Sequence, residues 1–154
     1  MKIKTIAHAA YFVSDMQASL RFYCDCLGFK KSFTMAVPAP ETLQDPNPEF
    51  LALCEKFHGQ PWIEYLKIRD GQFVELFHPL TEHPHNTDTG VGYNHLSLEV
   101  DDIFAAAQEL KVKGVDLTSR ITMGPDNTYQ VWMADPDGNR IELMQYTEKS
   151  FQVL

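Results

Sequence analysis

Apolar and polar positions along the chain fall into two series of short alternating runs, each interrupted once by a helical period. Residues 4–13 alternate around His8, and Leu20, Phe22, Tyr23 and Leu27 then form an apolar stripe at helical spacing. Ser14 or Asp15 stands where the helix N-cap belongs, and Gly28 where a left-handed cap is expected. Strand-like alternation resumes at about 29–36, 61–68 and 73–78. The second series repeats this order. A strand at about 93–100 surrounds His95, and Asp101 or Asp102 precedes a stripe of Ile103, Phe104, Ala107 and Leu110. Gly114 follows, with strands expected at about 115–121, 128–134 and 140–146. Each series therefore predicts one strand, one helix and a three-stranded meander.

The two series are one repeat. Residues 70–77, DGQFVELF, align without gaps on residues 137–144, DGNRIELM, matching Asp70 to Asp137, Gly71 to Gly138, and Glu75 to Glu142. Each Asp-Gly signals a hairpin turn before a strand. His8 lies seven residues before Asp15, and His95 seven before Asp102. His8 and Glu75 are 67 positions apart and His95 and Glu142 only 47. The extra 20 correspond to a Pro-rich insertion at 37–59, read as a loop with one short helix near Glu49–Phe57 that covers a pocket mouth. Residues 78–92 carry Pro, Gly and Asn without periodicity and read as a linker. The expected organisation is one domain, 1–154, made of two modules at about 1–80 and 91–147.

A repeat need preserve only its core, so a His and a Glu kept at matching strand positions point to chemistry. Glu75 in FVELF and Glu142 in RIELM are flanked by apolar residues. A carboxylate facing the inside of a sheet is costly unless a cation or metal compensates it. Together with His8 and His95 the two carboxylates give an N₂O₂ set suited to Zn, Ni, Co, Mn or Fe(II) rather than Mg²⁺. Taken singly, a strand His is more often a hydrogen-bonded core residue and a strand Glu a solvated one; Glu64 and Glu99 are expected to face solvent. His78, His83 and His85 lie in the Pro-rich linker and are read as exposed histidines, as is His58.

Composition narrows the partners. At 154 residues, with 44% apolar and 22% charged positions, the chain can bury one core. A net charge of -8 disfavours nucleic acid and anionic membranes but leaves room for a small anionic substrate at a locally positive site. The N-terminus has no apolar run long enough for a signal or membrane segment, and Cys24, Cys26 and Cys54 read as reduced thiols of a cytoplasmic protein.

With these residues in view the sequence resembles the vicinal oxygen chelate superfamily, the glyoxalase/bleomycin resistance/dioxygenase group. The matching stretches are His8 with VSDMQASLRFYCDCLGF, FVELF around Glu75, GYNHLSLEVDD around His95, and ADPDGNRIELMQ around Glu142. The resemblance implies an α+β fold of paired βαβββ modules forming a cup-shaped mixed β-sheet, as in glyoxalase, bleomycin-resistance and dihydroxybiphenyl dioxygenase proteins. It also implies a homodimer acting on a small molecule. Its mechanism places two neighbouring substrate oxygens on one divalent ion, Ni or Zn foremost with Co, Mn or Fe as options, and so stabilises an enediolate.

Among members, glyoxalase I (lactoylglutathione lyase) uses His, Glu, His and Glu, which His8, Glu75, His95 and Glu142 supply. The resemblance thus implies a metal-dependent lyase or isomerase acting on an α-hydroxycarbonyl compound or its thiol adduct. Glu142 would be the principal proton carrier, with Glu75 assisting. Two positions depart from the glutathione-using pattern: Phe12 stands where an Arg is common, and Pro79 where an Asn is common. Phe12, Phe33, Tyr65, Tyr93, Tyr129 and Trp132 are instead expected to line an apolar substrate pocket. An extradiol-type dioxygenase acting on an aromatic diol and a small-molecule-sequestering resistance protein stay open as alternatives. The sequence also leaves open whether the two halves of the site meet within one chain or across a dimer.

Overall fold

The same local chemistry starts the main helix of each half. Asp15 accepts a hydrogen bond from the Ala18 backbone N–H at 3.0 Å, capping α1 (Met16–Leu20), which continues as a wider π-type turn over Arg21–Cys26. Asp102 accepts from the Phe104 and Ala105 N–H groups and caps α3 (Ile103–Val112). Gly28 and Gly114 follow at φ 79° and 80°, the left-handed exits that a Cβ would penalise. The computed structural model describes Met1, residues 4–84 and residues 92–153.

The chain divides into two compact units, Met1–Pro84 and His85–Leu154. The first contains β1 (His8–Phe12), α1, β2 (Lys30–Ala36), α2 (Pro48–Phe57), β3 (Pro61–Arg69) and β4 (Gln72–Phe77). Its four strands form one mixed sheet in the order β1-β4-β3-β2, with β1 parallel to β4 and the other pairs antiparallel. The second unit contains β5 (Leu96–Glu99), α3, β6 (Thr122–Met123), β7 (Tyr129–Ala134) and β8 (Arg140–Gln145). Its order, β5-β8-β7-β6, again has the first strand parallel to the last. Each unit is thus a βαβββ module, and the chain is α+β.

One face of each sheet is the core. In the first unit Leu66, Val74 and Leu76 are fully buried, and Tyr11 on the same side stacks on Tyr23 of the π-type turn. In the second, Val131, Met133, Ile141 and Leu143 are buried on the side of Ile103, Ala107 and Leu110 of α3. The inserted helix α2, expected near Glu49–Phe57, starts at Pro48 with Asn47 as its cap, and its Phe50 meets Trp62 of β3. Among the described residues no helix is long and apolar enough to cross a membrane.

Two expectations need correcting. Phe104, assigned to the buried stripe, is exposed: it sits in the first turn of α3, where its ring meets Tyr129 of β7 and is otherwise open to solvent. The strand expected at 115–121 is reduced to a single bridge, Leu117 with Met133, and the regular edge strand is the two-residue β6 further on. Ser119 explains the break: its hydroxyl accepts the Trp132 backbone N–H at 3.0 Å, a bond that a neighbouring strand's carbonyl would otherwise take. Of the linker histidines, His83 stacks on Phe12 with ring centres 3.7 Å apart, and His85 lies outside the described residues.

Candidate functional site

Strand register brings each His to its Glu. Ala10 pairs with Glu75 across the parallel β1–β4 ladder, and His8, two residues before Ala10, shares its face. Likewise Ser97 pairs with Glu142, and His95 is two residues before Ser97. The outcome is two similar pairs. His8 Nδ1 lies 3.2 Å from Glu75 Oε1, and His95 Nε2 lies 3.5 Å from Glu142 Oε2. Both carboxylates are buried, at 5% and 6% exposure, although the faces carrying them are not the cores of their units.

Each carboxylate also faces an aromatic partner ten residues earlier in the chain. Tyr65 is the cross-strand neighbour of Glu75, and Trp132 that of Glu142. The Tyr65 phenol hydrogen-bonds to the Glu75 carboxylate, and this bond, followed by burial and the carboxylate's charge, holds the phenol above its usual range. Tyr65 therefore stays a neutral donor. Its replacement by Phe is expected to cost about 1–3 kcal/mol of stability, because a buried carboxylate loses a donor. Denaturant unfolding that finds Tyr65→Phe as stable as the original would contradict that role.

The donor chemistry fits a divalent ion. Glu75 Oε1 is buried without a hydrogen-bond partner; the His8 nitrogen is near but not aligned to donate. In the second unit Asn94 Oδ1 accepts the His95 Nδ1–H at 2.7 Å, which fixes the tautomer and leaves the Nε2 lone pair on the side of Glu142. An imidazole so oriented is prepared to ligate. Among the described residues no three His, Cys, Asp or Glu side chains converge to hold an ion.

The other expected site residues divide by face. Phe12, Phe33 and Tyr65 share the Glu75 face: Phe33 stacks on Tyr65 at 4.3 Å, and Phe12 packs on Phe77 at 5.1 Å. Trp132 shares the Glu142 face and meets the His95 ring edge-on at 4.8 Å. Tyr93 is exposed two residues before His95. Tyr129 departs from the expected pocket. It alternates with Val131 and Met133, so its ring lies on the α3 side against Phe104, away from the Glu142 face.

Glu64 overturns a second expectation. It is buried, not solvated, because alternation along β3 places it with Leu66 on the core side. There it accepts from Thr34 Oγ1 at 2.6 Å, pairs with Lys31 Nζ at 2.8 Å and meets His78 Nε2 at 3.0 Å. Burial pushes its carboxyl up, but the bonds from Lys31, Thr34 and His78 outweigh this and hold it below the usual range. Glu99 is exposed, as expected. The three cysteines are free thiols. Burial, then the charge of Asp25, raises Cys24, and burial raises Cys54, so neither is disposed to act as a thiolate.

Sequence reasoning passed over Asn94 and Arg140. Arg140 lies two residues before Glu142 on the same face of β8, with its guanidinium 4.5 Å above the Trp132 ring and Nη1 donating to Asn94 Oδ1 at 3.4 Å. The i, i+2 spacing in RIE was the available signal.

Two βαβββ modules, each carrying a His and a Glu brought together by the same register, define a family. Residues 5–143 match the model of the Glyoxalase/Bleomycin resistance protein/Dioxygenase superfamily, and the chain belongs to it. It is 28% identical over 149 residues to a probable lactoylglutathione lyase of Synechocystis sp., covering 94% of this chain and 97% of that one. It is also 26% identical to the lactoylglutathione lyase of Haemophilus influenzae, with 91% of each chain covered. Among solved structures, the glyoxalase family protein of Enterococcus faecalis superposes with a TM-score of 0.70 at 23% identity. That match covers 94% of this chain and 99% of the other, and it shows the shared fold.

Proposed function

We propose that the chain is a metal-dependent, glyoxalase I-like lyase or isomerase acting on an α-hydroxycarbonyl compound or its thiol adduct. The observation that carries this reading is the repetition of one His beside a buried Glu at the same register position in both units, with Glu75 Oε1 lacking any donor. The His8–Glu75 and His95–Glu142 pairs would each offer an imidazole and a carboxylate to a divalent ion, Ni or Zn foremost, with Co, Mn or Fe also suited to the donor set. Such an ion supplies Lewis-acid polarisation of a substrate carbonyl, which acidifies the adjacent C–H.

The chain's own residues do the rest. Glu142, buried and with no strong donor of its own, is the side chain that would take and return the proton. Glu75, held by Tyr65, would assist. Phe12, Phe33, Tyr65 and Trp132 present apolar faces that exclude water and pack against the substrate body. Phe12 in place of a cation argues for a substrate other than a glutathione adduct. The active form is proposed to be a cytoplasmic homodimer, consistent with three free thiols.

Elemental analysis of the purified chain tests this reading. About one bound ion per chain is expected, falling below roughly a tenth in the His8→Ala/His95→Ala double variant, because a catalytic site of this type holds a single ion. The loaded protein should isomerise a hemithioacetal formed from methylglyoxal and a small thiol. Absence of metal after dialysis against each candidate ion would reject the proposal. Bound iron with turnover of catechols would reassign the chain to the dioxygenase reading.

A further inference from the structure

Arg140 is half-buried, yet among the described residues no carboxylate lies within ion-pair reach of it. Its position is nevertheless fixed. The guanidinium carbon stands 4.5 Å from the centre of the Trp132 ring, and Asn94 Oδ1 takes one of its five N–H donors. The same Asn94 oxygen takes the His95 Nδ1–H, so one amide orients both the cation and the imidazole. Arg140 and Glu142 are alternate residues of β8 on one face, which separates them by about 7 Å along the strand. Trp132, the cross-strand neighbour of Glu142, floors the space between them.

A partly desolvated guanidinium placed over an aromatic ring, with donors left over and no counter-ion among the described residues, is suited to bidentate capture of an oxyanion. We propose that Arg140 is an anion receptor of the second unit, receiving a carboxylate or similar oxyanion of the substrate a short distance from Glu142. The substrate class is thereby narrowed to small acids whose anionic group is separated from the reacting carbon by a few bonds. Apolar bulk can still pack on the aromatic side chains. A net charge of -8 makes such a localised cation the more consequential for attracting an anion. The second unit differs here from the first, whose corresponding position is Phe73. The repeat is therefore asymmetric in charge where it is symmetric in ligands. Arg140 is a specificity-determining residue, and Asn94 positions it.

The use of this receptor in catalysis rests on the metal-centre reading, but the receptor itself does not, and the test keeps them apart. Benzoate and benzamide share size and shape and differ in charge. Calorimetric titration of the metal-stripped protein with each probes Arg140 without an ion to compete for the carboxylate. The unaltered chain is expected to bind benzoate at least tenfold more tightly than benzamide. Arg140→Met should abolish that preference, and Arg140→Lys should retain part of it, because the charge survives while the fork and the stacking do not. Nuclear magnetic resonance spectra of the variants establish that they are folded. Equal affinity for the two probes in the unaltered chain, or an undiminished preference in folded Arg140→Met, would overturn the proposal. Failure of the metal analysis leaves this result intact, and failure here leaves the metal reading intact.

Discussion

Glu142→Gln is expected to fold normally, to lose turnover by about 10²–10⁴-fold and to bind metal more weakly. The amide has the shape of the carboxylate, and His95 Nε2 stands at 3.5 Å from it, too far for a bond whose loss would disturb the sheet. What is removed is the charge that would attract both a proton and an ion. The stability of the metal-free form should move the other way. Glu142 is only 6% exposed and makes no close hydrogen bond among the described residues, so the buried amide should leave the stripped protein at least as stable as the original. Steady-state kinetics with metal content measured on the same sample decides the first point, and denaturant unfolding of the stripped proteins the second. A fully loaded variant retaining more than a tenth of the original turnover would exclude Glu142 as the proton carrier.

Glu64→Val should destabilise the first unit. The second unit already carries Val131 at the equivalent position, so the fold accepts the shape. The cost arises from Lys31, Thr34 and His78, which lose their common acceptor. Because the Lys31 side chain is half exposed, the loss should be about 1–3 kcal/mol rather than the larger figure for a fully buried pair. The pH dependence is the sharper signature. The Glu64 carboxyl is held low in the folded state, so its stabilisation is complete above the unfolded carboxyl's value, about 4.3, and is lost as pH falls through the lower folded value. Unfolding measured at pH 7 and pH 4 should show a gap between the two proteins that narrows in acid. A gap unchanged with pH would mean that the carboxylate's charge contributes nothing.

The His and Glu residues proposed as metal donors could be picked from the sequence because they recur. No single His or Glu stood out, but His8 with Glu75 and His95 with Glu142 repeat the same neighbours, and the ladder register then places each pair on one face. The Asp caps and left-handed glycines were equally plain, since both act within one turn of chain. Misreadings came where a partner far along the chain decided the outcome. Glu64 is buried because Lys31 and His78 reach it across the fold, although its alternation with Leu66 was already a hint. The strand at 115–121 fails because one Ser119 hydroxyl occupies a ladder bond, which no propensity reveals. Tyr129 was misplaced by counting aromatic residues without following their parity along β7.

The parallel pairing of β1 with β4 and of β5 with β8 has a consequence for how the protein comes into being. In each unit the His belongs to the opening strand and the Glu to the closing one, 67 and 47 positions later. Neither pair can exist in a nascent chain until the last strand of its module has emerged and docked beside the first, the slow, long-range closure that such topologies require. Local helix or hairpin formation cannot assemble either donor pair. Capture of an ion during synthesis would then report completed modules, and chains stalled before residue 75 would present His8 to the cell's metal pool with no carboxylate beside it.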